Sequence, residues 1–408
     1  MAKQDLGVLE GLYLIDSDSH YSEPHDLWTS RAPAKLQDLV PLVRPNAKGE
    51  LRWWLNGKDL FMAGGGSFVD KAGNKTPMVS VEIMNSINFE DIHEASYDAA
   101  ARLKIMDEMG VWAQIVYPNT MGFAMYAVIQ EVETEIGAAI VSIFNDAMAE
   151  WQEQGRNRLF PMAVLPFWDI DASVKEAQRA AAMGLRGVTM AGNPHLGGLP
   201  DLGQPAWEPL YEVLQDLGMT INIHVGSTAS VSADHYDTAW PSLEFRAVKP
   251  VNSVQMELNN SKFISNLCVS DVILKYPDLK WVSVESGIGW IPYVLERIDY
   301  EYRETFPNLP PVTRPNALEM FRRGIYGTFW FEHAGPHLLL DYLGADNILW
   351  ETDFPHPTCL YPSPVERSAK ALAGVDPANV RKIMQDNAAK LYSIDLPPIP
   401  AGTPEADS

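Results

Sequence analysis

Two hydrophobic periods alternate along this chain. Short runs rich in β-branched and aromatic residues read as strands: "YLIDSD" (13–18), "AQIVYP" (113–118), "FPMAVLPF" (160–167), "RGVTMAG" (186–192), "TINIHVG" (220–226), "KWVSVES" (280–286), "IYGTFWF" (325–331) and "NILWETD" (347–353). Several are nearly continuous apolar stretches, the pattern of parallel strands buried on both faces. Between them the period lengthens to that of a helix. "YDAAARLKIMDEMG", "DASVKEAQRAAAMG" and "AWEPLYEVLQDLG" each close on a glycine suited to a helix C-cap, and "TEIGAAIVSIFNDAMAEWQEQG" opens on a threonine. Strands alternating with helices predict βα units and a parallel sheet. Eight such units predict a closed (β/α)8 barrel in preference to an open doubly wound sheet.

Three segments interrupt the rhythm. Residues 29–92 form a long insertion after the first strand, within which "LRWWLNGKDLF" predicts a hairpin turning at Asn-Gly. The "GGG" at 64–66 lacks the spacing of a phosphate-binding fingerprint and is expected to be flexible loop. Residues 227–250 follow the fifth strand and are polar and irregular, as lids and substrate walls are. The Pro-rich, acidic tail 395–408 is expected to be disordered, leaving 1–394 as the folded unit.

Composition narrows the function. A formal net charge of −22, without a basic patch, argues against nucleic acid as a partner. The absence of long apolar runs and of a signal-peptide pattern predicts a cytoplasmic protein that does not enter membranes. Two cysteines, Cys268 and Cys359, are too few and too far apart for a disulfide framework or a cysteine-rich zinc site.

The chemistry is expected at the C-terminal strand ends, where barrels of this type build their sites. Asp18 and His20 lie at the end of the first strand, His224 of the fifth, Glu285 of the sixth and Asp353 of the eighth. Asp18 and His20 are two apart and share a strand face, directed to the barrel axis. Imidazoles and carboxylates converging in this way describe a divalent metal site with nitrogen and oxygen ligands. Taken alone, His224 reads as a hydrogen-bonded core histidine and Asp353 as a turn cap; their joint placement points to the metal. Glu23 and His356 are further candidates, His356 as a group that orients Asp353. His25, His93, His195, His235, His333 and His337 fall in loops or helices and are assigned no role. Trp53, Trp54, Phe61, Tyr236 and Trp240 would suit a hydrophobic or aromatic substrate or equally serve loop packing, and Arg246 and Lys249, by default surface residues, could meet a carboxylate or phosphate group on it.

"DSDSHYSEP", "NIHVG", "VESGIGWIPYVLERID", "LWETDFPHP" and the closing "VRKIMQDNAAKLYSI" together resemble the amidohydrolase-related, metal-dependent TIM-barrel family that includes aminocarboxymuconate semialdehyde decarboxylase. The resemblance runs from about residue 13 to 394. It implies a single-domain, distorted (β/α)8 TIM barrel of the α/β class with a divalent metal at the strand ends. The family's first-strand ligand pair falls on Asp18 and His20, its fifth-strand histidine on His224 and its eighth-strand aspartate on Asp353. Two departures stand out: "RGVTMAG" has no lysine to carbamylate, and Glu285 replaces the sixth-strand histidine of the decarboxylases. The first expectation is therefore a hydrolase in which a metal-bound water, deprotonated by Asp353 or Glu285, attacks an ester, amide or thioester. Non-oxidative decarboxylation of a small organic acid is the second, and a dinuclear non-haem iron oxygenase the third. The cofactor is expected to be zinc or iron, one or two ions. A small-molecule substrate and a homo-oligomeric state are compatible with all three.

Overall fold

The computed structural model describes residues 6–78, 80–123, 132–227, 240–305 and 314–398. All eight predicted strands are present. A three-stranded parallel sheet joins β1 (Ile15–Tyr21), β5 (Ala113–Pro118) and β6 (Leu159–Pro161). A six-stranded sheet runs β12-β11-β10-β9-β8-β7, from β7 (Ala163–Val164) through β8 (Gly187–Thr189), β9 (Thr220–His224), β10 (Trp281–Val284) and β11 (Ile325–Phe329) to β12 (Ile348–Trp350). β6 and β7 are one strand broken at Met162, so the two sheets join there. The circuit closes where Ser19 bridges Phe354 and where the Asp353 N–H donates to Asp18 O at 2.9 Å. The result is a distorted α/β TIM barrel.

The helices between strands fall where the 3.6 period predicts them. Ala99–Met109 opens on Asp98, whose carboxylate accepts the Ala101 N–H, and stops at Gly110 in the left-handed region (φ 78°). Asp169 caps Ile170–Ala182 in the same way. The helix predicted to begin on a threonine spans Thr134–Gln154, with Glu133 rather than Thr134 at its cap position.

The main core lies between barrel and helices. A second cluster fills the barrel interior: Ile15, Ile115, Tyr117, Phe160, Val282, Val284 and Leu349 meet Tyr392, whose hydroxyl donates to Asn222 Oδ1 at 2.7 Å. The barrel is therefore a packed solid below its strand ends, and chemistry is confined to the mouth.

In the predicted insertion, β2 (Leu42–Pro45), β3 (Leu51–Leu55) and β4 (Lys58–Met62) form an antiparallel sheet turning at Asn56 and Gly57, both with positive φ. One open reading is decided here and one expectation changes. Trp53 is fully buried, edge-on to Trp28 at 5.2 Å, and Trp54 donates its indole N–H to Arg44 O; both serve packing. The triple glycine is a buried, close-packed turn: a Cβ on Gly64 would sit 2.6 Å from Ile87 O, and one on Gly66 (φ 77°) 3.4 Å from His356 Nε2. Tyr236, His235, most of the expected lid and the tail from residue 399 lie outside the described residues. Among those described, no helix is long and apolar enough to cross a membrane.

Candidate metal centre

β1 delivers its two ligands through an irregularity that sequence alone does not reveal. Between Asp16 and Ser19 it holds one residue more than β5 does between Gln114 and Val116. Such a bulge reverses which alternate side chains face inward. Ile15 therefore belongs to the inner cluster before it, and Asp18 and His20 face inward after it. His224 is the last residue of β9. Glu285 follows β10 and Asp353 lies just beyond β12, and both adopt the left-handed region (φ 54° and 62°). Non-glycine residues held there cost of order 1–3 kcal/mol each and concentrate at functional sites. The Glu285 N–H is held by Thr328 Oγ1 at 3.0 Å and by Glu351 Oε2 at 3.2 Å.

The side chains meet at one point. His20 Nε2 is 3.4 Å from Asp18 Oδ1 and 3.2 Å from His224 Nε2. His224 Nε2 is 3.4 Å from Asp18 Oδ1 and 3.6 Å from Glu285 Oε2, and Asp353 Oδ1 is 3.5 Å from His20 Nε2. Four donors placed tetrahedrally about 2.1 Å from an ion are separated by roughly 3.4 Å. The observed spacings match those edges, and the carboxylate–imidazole ones, at 3.4–3.6 Å, are too long for hydrogen bonds of ordinary strength.

Three further observations test the fit to a cation. Both Asp18 oxygens and Asp353 Oδ1 are buried without a hydrogen-bond partner among the described residues. His224 Nδ1 lies 2.7 Å from Val225 O, so Nδ1 carries the proton and Nε2 turns a lone pair to the cluster. That is the arrangement in which a second hydrogen bond fixes the tautomer of a metal-binding histidine. Burial, reinforced by Asp353 and Glu285, pushes the Asp18 carboxyl well above its usual range. Burial likewise lifts Glu285 to about 8 and Asp353 to about 7, and lowers His356 to about 4. Desolvated carboxylates crowded together require protons or a cation, and the donor set suits a divalent one.

Behind the donors lies a hydrogen-bonded frame. Asp16 accepts from the Thr352 N–H at 2.7 Å, the Thr352 hydroxyl at 2.6 Å and Gln114 Nε2 at 2.8 Å. Arg102, fully buried, donates to Gln114 Oε1 at 3.1 Å and to the carbonyls of His20 and Ala95. One network thus ties both ligand-bearing ends of β1 and β12 to β5.

Of the candidates read from sequence, Asp18, His20, His224, Glu285 and Asp353 converge, and His356 joins them with Nδ1 2.8 Å from Asp353 Oδ1. Glu23 does not: its carboxylate accepts the N–H groups of Thr120 and Met121 at 3.0 and 3.1 Å. Trp240 and Arg246 are exposed. Lys249 is half-buried and faces Glu285, Asp353 and Glu257, and burial lowers its ammonium pKa. Arg297 pairs with Glu301 at 2.5 Å. Two neighbours were not foreseen. Glu351, fully buried, shares the inward face of Asp353 by the period of two, which is the signal that could have found it. Phe123 lies 5.0 Å from the His224 ring and 5.7 Å from His20, an aromatic cover over the donors.

The profile of a family described as Amidohydrolase matches residues 92–394. Among solved structures, an amidohydrolase from Mycobacterium avium subsp. paratuberculosis K-10 aligns with a TM-score of 0.72 at 22% identity, over 94% of this chain and 99% of that one. The dihydroxybenzoic acid decarboxylase from Polaromonas sp. JS666, with bound manganese and the inhibitor 2-nitroresorcinol, aligns at 0.57 and 19% identity over 94% and 97%. The 2,6-dihydroxybenzoate decarboxylase from Rhizobium aligns at 0.57 and 18% over 94% and 99%. At these identities the likeness is one of fold.

Proposed function

Since the chain belongs to the amidohydrolase family, we propose that it is a metal-dependent enzyme that removes the carboxyl group of a small, aromatic organic acid. The carrying observation is the set of Asp18, His20 and His224 donors at tetrahedral-edge spacing, with Asp18 otherwise unpartnered. Decarboxylation is placed ahead of the hydrolysis first expected because whole-length fold relatives include decarboxylases of dihydroxybenzoates. A bound divalent cation would supply a Lewis acid for the substrate's oxygens. The chain's own groups supply the rest. As the carbon–carbon bond breaks, CO2 leaves and the electron pair stays on carbon, which must receive a proton. Asp353, whose Oδ1 lies 3.5 Å from His20 Nε2 and whose Oδ2 accepts the Thr358 hydroxyl at 3.0 Å, is the carboxyl we assign to carry that proton. Phe123 excludes water from the face above His20 and His224 and suits an aromatic ring.

One observation favours hydrolysis as a second reading. Glu285 sets a carboxylate beside His224 where the decarboxylases resembled carry an imidazole, and a carboxylate can take a proton from water. Incubation of the metal-loaded protein with hydroxybenzoates labelled at the carboxyl carbon, with and without oxygen, decides among the readings. Labelled CO2 released equally in both atmospheres supports decarboxylation. Turnover of aryl esters without CO2 would establish hydrolysis, and turnover only in oxygen the oxygenase.

A further inference from the structure

We propose that Glu23 and Ser227 are positioning residues that seat the turn 120–123 across the barrel mouth, and so fix the Phe123 ring over the metal donors as a wall for the substrate's ring. This rests on the reading of Asp18, His20 and His224 as metal donors and of the substrate as aromatic. Glu23, which turns away from the metal centre, thereby acts on the reaction through Phe123.

Glu23 takes over where a backbone ladder stops. The last register pair between β1 and β5 is Tyr21 with Pro118, and the Asn119 N–H still reaches Tyr21 O at 3.2 Å. Glu23 and Thr120 each stand two residues beyond that pair on their own strands. Glu23 Oε2 accepts the Thr120 N–H at 3.0 Å, and Oε1 accepts the Met121 N–H at 3.1 Å. These amides open the single helical turn Thr120–Phe123, and the first N–H groups of a helix have no partner within it. Glu23 is 1% exposed, so water does not compete for them.

The turn is pinned from the opposite strand as well. Ser227, buried three residues past His224, donates its hydroxyl to Gly122 O at 3.0 Å and its N–H to His224 O at 3.2 Å. Gly122 also packs on Pro118 so closely that a Cβ there would lie 3.0 Å from the proline Cγ. Held at its N–H groups from β1 and at a carbonyl from β9, the turn is tied to the two strands that carry Asp18, His20 and His224.

Phe123 closes that turn, its N–H donating to Asn119 O at 3.1 Å. Its ring lies 5.0 Å from His224, 5.7 Å from His20 and 6.1 Å from His356, and so meets three imidazoles of the mouth at once. The ring is only half-buried, and the turn beneath it sets where it stands. Such a wall works by position: an aromatic ring gains its contact energy with another only at stacked or edge-on distances.

The test is fluorine NMR of the full-length, metal-free protein carrying 4-fluorophenylalanine in place of Phe123, alone and combined with Glu23→Leu or Ser227→Ala. One resonance, displaced from that of the free amino acid, is expected without the second change. Both variants are expected to shift or divide it, and Glu23→Gln, which keeps the shape and one acceptor, to do so less. A resonance unmoved in both variants overturns the proposal, whatever stability is lost. Should Glu23→Leu not fold, Glu23→Gln and Ser227→Ala decide in the same way. Mn2+ affinity, measured without the fluorine label, is expected to fall by less than the roughly 10–100-fold that follows loss of a ligand's own hydrogen-bond partner. A larger fall in Glu23→Gln would make Glu23 part of the metal site and overturn its role through Phe123. On a hydroxybenzoate that the unaltered enzyme turns over, KM is expected to rise roughly 3–10-fold, the worth of one aromatic contact, with kcat changed less. A lowered kcat at unchanged KM would overturn it. No turnover of any hydroxybenzoate by the unaltered enzyme contradicts the decarboxylase reading alone, and the fluorine spectra still decide.

Discussion

Asp18 keeps both carboxylate oxygens out of water and without hydrogen bonds, so in the metal-free protein it opposes folding. Asp18→Asn is expected to stabilise the metal-free chain, by about 1–3 kcal/mol on the scale of relieved buried charges, and to abolish stabilisation by added metal. Thermal melts of both proteins with and without Mn2+ check this; a destabilised metal-free variant that still responds to metal would refute it. The same crowding sets a pH dependence. Glu285 and Asp353 titrate near 8 and 7 when folded, above their values of 4.5 and 3.8 without the fold. At these two groups the folded metal-free state therefore binds more protons than the unfolded one. Their contribution to stability is fully present below about pH 4 and is lost as pH rises from there through 7 to 8, whereas His356, lowered to about 4, acts in the opposite sense below its free value. Metal competes for the deprotonated forms, so metal affinity should rise over that window, with protons released on binding. Calorimetry in buffers of different ionisation enthalpy measures the release; a heat independent of the buffer would contradict the account. The residues legible in the sequence, Asp18, His20, His224, Glu285 and Asp353, were those whose position at a strand end fixed their direction. His356 was only partly legible, because its role depends on Asn119, Gly66 and His20 closing around one ring. Glu23 shows the converse: a carboxylate in the right segment is turned away by two free amides at Thr120 and Met121.

Among the elements, the pairing of β1 with β12 decides whether the donors meet. Asp16 lies on the far side of the β1 bulge from Asp18 and carries the connection, accepting both the Thr352 N–H and its hydroxyl. Thr352→Val keeps the shape and deletes one donor to a buried carboxylate. A loss of roughly 1–3 kcal/mol in stability is expected, together with weaker metal binding. Chemical denaturation and metal titration of the variant check this, and unchanged values in both would remove Asp16 from the frame. All eight strands were legible because nearly continuous apolar runs leave little choice of element. Their ends were less so: β1 runs on to Tyr21, and β12 stops at Trp350, ahead of Asp353. The bulge was illegible, since it is set by register against a neighbour about a hundred residues away. The triple glycine was misread as flexible for a related reason. Its use is close approach, and close approach depends on Ile87 and His356, which are distant in sequence.

At the scale of the whole molecule, a chain of net charge −22 gathers several of its acids into one buried mouth, above an interior that side chains fill to the floor. That concentration is unfavourable in an empty protein and is explained by what it binds. The barrel offers convergent strand ends, and the family to which the chain belongs accounts for the architecture. The donors at those ends carry the functional claim. The most direct test is a crystal of the protein grown with Mn2+ and measured for anomalous scattering. The account expects a peak within about 2.0–2.4 Å of Asp18, His20 Nε2 and His224 Nε2. A well-ordered site without a peak, or a peak bound only elsewhere on the molecule, would contradict it.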